Sequence, residues 1–175
     1  MSEHNYGISM INDCKYGYNT EGSTLKLTML KCGTYPNPEA DLGLHRFTYS
    51  LIPHAGDFRT AGIIQEAYGL NQPLVILPAV GGNGVLPCDF SLIACDQPNV
   101  IIETVKKAET DSGMIVRMYE AFGSRCTATI RVASGFQKAY LCDLMENAIE
   151  ELSFAEDQIS LPFKNFEITT LKFTK

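Results

Sequence analysis

The chain has 175 residues and a formal net charge of −6 at pH 7, with 45% hydrophobic and 19% charged residues. This length allows a buried core in one domain or in two closely packed halves, and the composition is that of an ordinary globular protein. The acidic balance argues against nucleic acid as a partner, because phosphate binding needs clustered Lys and Arg. The compact basic runs, such as Lys106–Lys107, are too short to form a patch.

Membrane and compartment signals point to a cytoplasmic protein. No apolar run approaches the ~20 residues needed to cross a bilayer, and the polar N-terminus lacks a signal-peptide core. No CxxC spacing occurs among the six cysteines, Cys14, Cys32, Cys88, Cys95, Cys126 and Cys142. We therefore interpret them as free thiols of a reducing compartment, and we expect no membrane partner.

Alternation with period two predicts β-strands in the first part of the chain. Leu25, Leu27 and Met29 share one face of a strand at Ser23–Leu30. Phe47, Tyr49 and Leu51 share one face of a strand at His45–Leu51. A further strand is predicted at Gly7–Ile11.

One segment has helical spacing instead. Apolar residues recur three or four apart between Asp57 and Leu70, namely Phe58, Ala61, Ile64, Ala67 and Tyr68. This spacing predicts a short helix that begins near Asp57, as a cap or first-turn acid, and ends before Pro73.

The second part of the chain again alternates. The clearest strand is Arg125–Val132, where Cys126, Ala128, Ile130 and Val132 oppose polar residues. Further strands are predicted at Leu74–Leu77, Ser91–Ala94, Val100–Lys107, Met114–Phe122, Lys138–Cys142 and Phe166–Phe173. In the last, a β-bulge at Thr169–Thr170 would bring Phe166 and Ile168 to the same face as Leu171 and Phe173.

Together these elements predict an all-β fold, with antiparallel β-sandwich architecture and one short helix near residues 57–70. The character of the sequence changes between Asn71 and Gly84. We therefore expect two portions, a first β portion with the helix at residues 1–72 and a C-terminal sandwich at residues 73–175.

The residues by themselves show no self-contained active site. The histidines lack the HxH, HxD and HExxH spacings of metal sites, and no G-x-S-x-G elbow is present. Gly81–Gly84 matches neither a P-loop nor a dinucleotide fingerprint. Most acids fall in predicted turns or on exposed faces. We therefore predict no catalytic residue, no metal ligand and no cofactor in this chain.

Several motifs nevertheless carry a specific resemblance. The segment Tyr6-Gly-Ile-Ser-Met-Ile-Asn-Asp-Cys-Lys-Tyr-Gly-Tyr18 resembles the opening of the C-terminal β region of glycoside hydrolase family 38 α-mannosidases, especially the cytosolic and bacterial branch. The resemblance covers essentially the whole chain. It continues through Ser23–Leu30, Tyr35–Gly43, His45–Tyr49, Pro53–Asp57, Pro98–Glu109, Val116–Glu120 and Phe166–Leu171.

This resemblance implies a parent enzyme that hydrolyses terminal α-mannosides as a zinc-dependent retaining glycosidase. In the family, an N-terminal catalytic domain supplies an aspartate nucleophile and the zinc ligands, including an HxD pair, and none of those motifs is present here. We expect Met1 not to be the natural start of the reading frame, a catalytic region to precede Ser2, and this chain to be inactive alone. Its partner would then be the catalytic domain of the same polypeptide.

The resemblance also implies that a loop of this region reaches toward the substrate. By position the candidates are Asn12, Asp13 and Tyr16 in one turn, and Lys31, Asp41 and His45 in the loop that follows. Asp13 could accept hydrogen bonds from sugar hydroxyls, and Tyr16 could stack on a pyranose face. The competing interpretation is that Asn and Asp beside Gly simply form a turn and that Tyr16 or Tyr18 belongs to the core.

Two other functions remain open. An independent carbohydrate-binding module would need exposed aromatic platforms, and the chain has no Trp. A β-sandwich interaction domain without any sugar role is the second. A domain that normally packs on a partner should also expose an apolar patch, or bury that patch in an oligomer.

Overall fold

Antiparallel strands dominate the described part of the chain, which confirms the predicted all-β fold with one helix. The computed structural model describes residues 1–78 and 81–175. Its internal contacts divide the chain into two compact units, Met1–Val80 and Gly81–Lys175. The domain portions 1–72 and 73–175 remain a prediction, and residues 79 and 80 of the expected connection lie outside the described residues.

The first unit contains two small antiparallel pairs and the helix. Its elements are β1 (Tyr6–Asn12), β2 (Tyr18–Glu21), β3 (Thr24–Leu27), β4 (Tyr49–Ala55) and α1 (Ile63–Asn71). Strand β1 pairs with β4 from Tyr6↔Ala55 to Asn12↔Tyr49. Strands β2 and β3 form a hairpin around Gly22, whose φ of 55° is the left-handed conformation that glycine adopts without steric cost.

The β1–β4 sheet has an apolar face that the chain leaves partly uncovered. Because opposite residues of an antiparallel pair share a face, Met10 and Leu51 lie side by side, as do Ile8 and Pro53. Leu51 is 53% exposed. The sequence predicted that Tyr49 and Leu51 share one face of a strand. In β4 they do, but Ser50, Ile52 and His54 on the other face are the more buried residues.

Helix α1 is shorter than predicted and begins later. The predicted helix near residues 57–70 is observed at Ile63–Asn71, because Gly62 adopts a left-handed conformation with φ 66° that interrupts the helical path. Asp57 caps the preceding turn instead of the helix, and its Oδ1 accepts the backbone N–H groups of Arg59 at 2.9 Å and Thr60 at 3.1 Å. In the described residues no helix is long and apolar enough to span a membrane.

The second unit is a β-sandwich of eight strands in two antiparallel sheets. Its strands are β5 (Ile93–Cys95), β6 (Val100–Lys107), β7 (Met114–Glu120), β8 (Cys126–Val132), β9 (Lys138–Cys142), β10 (Ala148–Leu152), β11 (Gln158–Phe163) and β12 (Ile168–Thr174). One sheet has the order β10-β9-β12-β7-β6 and the other β11-β8-β5. Alternate residues of both sheets fill one core, which contains Val116, Met118, Ala128, Ile130, Ile159, Leu161, Phe163, Leu171 and Phe173.

Two sequence predictions for strands are wrong. Strand β12 pairs with β7 without a register shift, so no bulge occurs at Thr169–Thr170 and Ile168 stays on the exposed outer face. Leu74–Leu77 forms no strand and is exposed. The sequence also missed β2, β10 and β11. In β11 the buried residues Ile159, Leu161 and Phe163 alternate with exposed ones. One of the exposed residues is Pro162, which is tolerated because β11 is an edge strand.

Candidate functional site

The turn after β1 is organised by the side chain of Asn12. Its Oδ1 accepts the backbone N–H groups of Cys14, at 3.0 Å, and of Lys15. Its Nδ2 donates to the hydroxyl of Tyr18. Its backbone carbonyl accepts a hydrogen bond from the side-chain amide of Asn71 at 3.1 Å. An Asx turn is formed when an asparagine side chain accepts hydrogen bonds from backbone N–H groups two and three residues ahead. The side chain of Asn12 therefore fixes the conformation of this turn.

Asp13 fastens this turn to the segment before β4. Its Oδ1 accepts the backbone N–H of Thr48 at 2.9 Å, and its own N–H donates to the Thr48 carbonyl at 3.2 Å. Beside it, Lys15 Nζ lies 4.6 Å from the centre of the Phe47 ring. Hydrogen bonds from Cys14 and Thr48 lower the pKa of Asp13, so this carboxylate is an exposed, charged acceptor at neutral pH.

Tyr16 stands at the tip of the same turn. It is 93% exposed, so the interpretation of Tyr16 as a core residue is wrong in this chain. A tyrosine held by a structured turn presents both an apolar ring and a polar hydroxyl to a ligand.

The long loop between β3 and β4 brings two of the other candidates together. His45 Nε2 lies 2.8 Å from the Asp41 carbonyl oxygen, and Cys32 Sγ lies 3.9 Å from the same oxygen. Lys31 is exposed and has no hydrogen bond or ion pair to any described residue. The loop also contains a cis peptide bond at Tyr35–Pro36.

The candidate residues thus form two groups. Asn12, Asp13 and Tyr16 belong to one turn, and the His45 side chain is hydrogen-bonded to the Asp41 backbone carbonyl. The link between turn and loop is the Asp13–Thr48 pair, three residues beyond His45. The geometry therefore provides exposed hydrogen-bonding groups and an aromatic ring, which suit contact with a polar ligand.

A serine and a histidine form a second polar contact on the opposite face of the β1–β4 sheet. Ser9 Oγ lies 3.0 Å from His54 Nε2, and the buried His54 Nδ1 has no hydrogen-bond partner in residues 1–78 or 81–175. A nucleophilic triad needs a third group that orients the imidazole through this nitrogen. Gly7 lies against the same imidazole, so closely that a β-carbon there would be 2.4 Å from His54 Cε1.

Metal-ligating side chains do not gather in residues 1–78 or 81–175. Across the described residues, no group of three or more His, Cys, Asp or Glu is arranged to hold a metal ion. The residues present therefore do not fit a zinc ion.

Comparisons with known proteins give the family of this chain. Residues 99–171 match the sequence model of the "Glycosyl hydrolases family 38 C-terminal beta sandwich domain", and residues 1–39 match that of the "Glycosyl hydrolases family 38 C-terminal domain". The chain is 39% identical over 98% of its length to "Alpha-mannosidase 2C1" of Homo sapiens. The chain belongs to glycoside hydrolase family 38.

Two further relatives of this family 38 chain extend the comparison. It is 31% identical over 99% of its length to "Alpha-mannosidase G" of Dictyostelium discoideum. A crystal structure of a glycosyl hydrolase family 38 protein from Enterococcus faecalis shares the fold, with a TM-score of 0.79 over 99% of this chain and 21% of that one, at 18% identity. The chain spans only 17% and 16% of the two mannosidases named here, so it corresponds to one region of much longer proteins.

Sequence reasoning missed one residue that organises the family 38 sandwich unit. Glu120 ends β7 and is 1% exposed. Its carboxylate accepts the Asn99 side-chain amide at 2.9 Å and the Ser124 hydroxyl at 3.2 Å. It also accepts the backbone N–H groups of Phe122 at 2.9 Å, Gly123 at 2.8 Å and Phe166 at 3.0 Å.

These bonds decide the charge of Glu120. Burial raises the pKa of the carboxyl, but the hydrogen bonds from Phe166, Asn99 and Phe122 outweigh burial and lower the pKa to about 2. A signal was present in the sequence, since Glu120 continues the inward register of Met114, Val116 and Met118. An acid in a core register requires compensating donors.

Proposed function

We propose that this chain is the non-catalytic C-terminal β region of an α-mannosidase, that it packs on the catalytic domain of its parent polypeptide, and that it forms part of the sugar cleft. The parent would hydrolyse terminal α-mannosides. The observation that carries this proposal is the 39% identity to an α-mannosidase along 98% of the chain, which spans only 17% of that relative. A region that is similar along nearly its whole length to a small part of a longer enzyme is expected to act as one part of such an enzyme.

The apolar face of the β1–β4 sheet supports the proposed packing. Met10 and Leu51 line a cavity of about 580 Å³, together with Ile8, Leu25 and Tyr6. A two-stranded pair is marginally stable in water unless its apolar face is covered. We infer that the catalytic domain covers this face, and that a second copy of the chain could cover it in an oligomer if the catalytic domain were removed.

The turn at Asn12 supports the proposed contribution to the cleft. Asn12 and the Asp13–Thr48 pair fix the turn, and Tyr16 projects from it with most of its surface exposed. We propose that Tyr16 stacks on a pyranose ring and that the exposed Asp13 carboxylate accepts a hydrogen bond from a sugar hydroxyl. Asn12 acts mainly by positioning these two. Lys31, Asp41 and His45 are proposed as further candidates for contact with the substrate.

The proposal also covers the source of the catalytic groups and the cellular location of the protein. The zinc ion and the aspartate nucleophile of a retaining mannosidase would come from the parent's catalytic domain. We also propose a cytoplasmic location, because all six cysteines are unpaired thiols and three of them are exposed. Unpaired exposed thiols are typical of a reducing compartment.

The first experiment compares the parent enzyme with this chain on an aryl α-mannoside, with and without added zinc. We expect turnover by the parent and none by the chain. Turnover by the chain alone would contradict a non-catalytic role. An inactive parent on α-mannosides, with activity on another glycoside, would contradict the substrate.

The second experiment tests the turn in the parent enzyme with Tyr16→Ala. Loss of a stacking ring should raise KM by about tenfold and change kcat less, since the ring contacts substrate and not the reacting atoms. Met145→Ala is a suitable control, because Met145 is also highly exposed but lies in the second unit. Equal kinetics for Tyr16→Ala and the control would exclude the turn from the cleft.

A further inference from the structure

An aromatic shelf lies on the outer face of the five-stranded sheet in the second unit. We define it by Tyr119, Phe166 and Ile168, with Glu103 and Arg117 at its edge. These residues line a cavity of about 390 Å³. Val116 and Met118 point into the core, so Arg117 and Tyr119 point to the outer face, where Ile168 lies directly opposite Tyr119. All residues of the shelf thus belong to the sandwich unit.

The Phe166 ring is held in place by an unusual backbone. Phe166 has a φ of 55°, a conformation that is unfavourable for a bulky residue. Its N–H is fixed by Glu120 Oε2 at 3.0 Å. The ring lies on Gly123, where a β-carbon would come within 2.6 Å of Phe166 Cζ. The other side of the ring remains available, and Phe166 is 69% exposed.

The two charged residues at the edge are also positioned. The pairing of β6 with β7 shifts register between Ile102 and Thr104, which places Glu103 in a β-bulge. Bulges redirect side chains and are common beside binding sites. Arg117 donates from Nε to Thr170 Oγ1 at 3.3 Å and from Nη2 to the Leu144 carbonyl at 3.2 Å, so its guanidinium is anchored over the sheet.

We propose that this shelf binds one pyranose unit of a neutral glycan, with an apolar face of the sugar on Phe166 and its hydroxyls on Glu103 and Arg117. One carboxylate and one guanidinium give the edge no net charge, which favours a neutral ligand. A sugar hydroxyl both donates and accepts, so it can satisfy Glu103 and Arg117 together. The cavity volume lies in the range of about 300–1,000 Å³ typical of small-ligand sites.

A protein partner fits the shelf less well. A stable protein interface buries about 800 Å² on each side, which is far more than the exposed parts of three apolar side chains can supply. The charged pair at the edge is also unusual for the centre of such an interface, where charged residues are depleted. The shelf does not depend on the proposed α-mannosidase activity, because its ligand contacts are all in the sandwich unit.

The test is a titration of the whole chain with methyl α-D-mannopyranoside and with an α-linked mannobiose, followed by amide NMR. Saturable shifts are expected at Gly123, Phe166 and Tyr119. Phe166→Ala should weaken binding about tenfold, as expected for loss of a buried aromatic contact. Phe90→Ala, which removes another exposed phenylalanine of the second unit, should leave the affinity unchanged.

Phe166→Leu keeps an apolar side chain of similar volume, so it remains informative if Phe166→Ala fails to fold, and it too should weaken binding. Absence of saturable shifts at these amides, or equal affinity in the Phe166 variants and the control, would overturn the proposal. Protection of Phe166 from hydroxyl radicals in the sugar-free parent would also overturn it, because a protein surface would then cover the shelf. A parent that is inactive on α-mannosides but binds sugar here would contradict the proposed function and leave the shelf standing.

Discussion

The Glu120 carboxylate accepts the backbone N–H of Phe166 at 3.0 Å, and this bond ties the end of β7 to the residue that leads into β12. The same carboxylate holds the turn that follows β7 through the N–H groups of Phe122 and Gly123. One buried side chain therefore fixes two loops at the same end of the sandwich. Its removal should affect both the stability of the unit and the position of the Phe166 ring.

Glu120→Gln should destabilise the sandwich by about 3 kcal/mol, because an amide nitrogen would face backbone donors that a carboxylate oxygen now satisfies. Urea unfolding at pH 7 measures this change. Glu150→Gln is the matched control, since Glu150 is exposed on β10 and should change stability little. A loss of less than about 1 kcal/mol in Glu120→Gln would show that the hydrogen bonds contribute less than their geometry indicates.

Glu120 should also give the stability a distinct pH dependence. Its pKa is lowered from 4.5 to about 2 in the folded chain, so the stabilisation is present above pH 4.5 and is lost as the pH falls toward 2. The shift corresponds to about 3 kcal/mol. The difference in unfolding free energy between the native chain and Glu120→Gln should therefore be large at pH 7 and small near the folded-state pKa of about 2. If the unfolding free energies of the two proteins changed in parallel with pH, the lowered pKa of Glu120 would be contradicted.

Two glycines of the first unit should respond to alanine in opposite directions. Gly69 lies inside α1, and a β-carbon added there would meet no side chain or neighbouring segment within 4 Å, so Gly69→Ala should stabilise this unit by about 0.5–1 kcal/mol. At Gly7 a β-carbon would be 2.4 Å from His54 Cε1 and 2.9 Å from the Met1 carbonyl oxygen. Gly7→Ala should therefore destabilise the β1–β4 pair by about 1–3 kcal/mol.

Thermal unfolding of the two glycine variants, followed by circular dichroism, checks the pair. Each variant serves as the control for the other, since both add one methyl group to the same unit. A stabilising Gly7→Ala would mean that the His54 ring moves aside easily, and that the close contact does not restrict the sheet.

The cysteines should differ in their reaction with a thiol reagent. Burial raises the pKa of Cys142, so this thiol should react only after unfolding. A hydrogen bond with Asp13 raises the pKa of Cys14, and Cys14 should therefore react more slowly than the exposed Cys32. Peptide mass spectrometry after timed labelling separates the three. Fast labelling of Cys142 in the folded chain would refute the expected order.

Strands with a local signal were predicted well. The predicted bounds of Val100–Lys107 and Lys138–Cys142 are those observed. The alternation of Ala128, Ile130 and Val132 in β8 also gave the correct buried face. Two missed strands differ in their signal. Strand β10 is an edge strand whose residues are mostly exposed and have no apolar face to repeat. Strand β11 does alternate, but it contains Pro162, which argues against a strand inside a sheet.

The candidate site shows the same division. The sequence motif located the turn at Asn12, because Asn and Asp form turns through bonds to nearby backbone. It could not show that Asp13 reaches Thr48, which lies 35 positions away in the chain. It also could not show that Tyr16 is exposed, because exposure depends on which parts of the chain pack around the turn.

The sequence by itself determined the all-β class, the family and most strands, because side-chain periodicity and short motifs are properties of neighbouring residues. Only the tertiary structure decided which apolar residues are covered. Leu51 and Ile168 alternate like core residues, yet both lie on open faces. The structure also decided the setting of Phe166, since its conformation depends on Glu120, which is 46 residues away and holds its charge through donors from several loops.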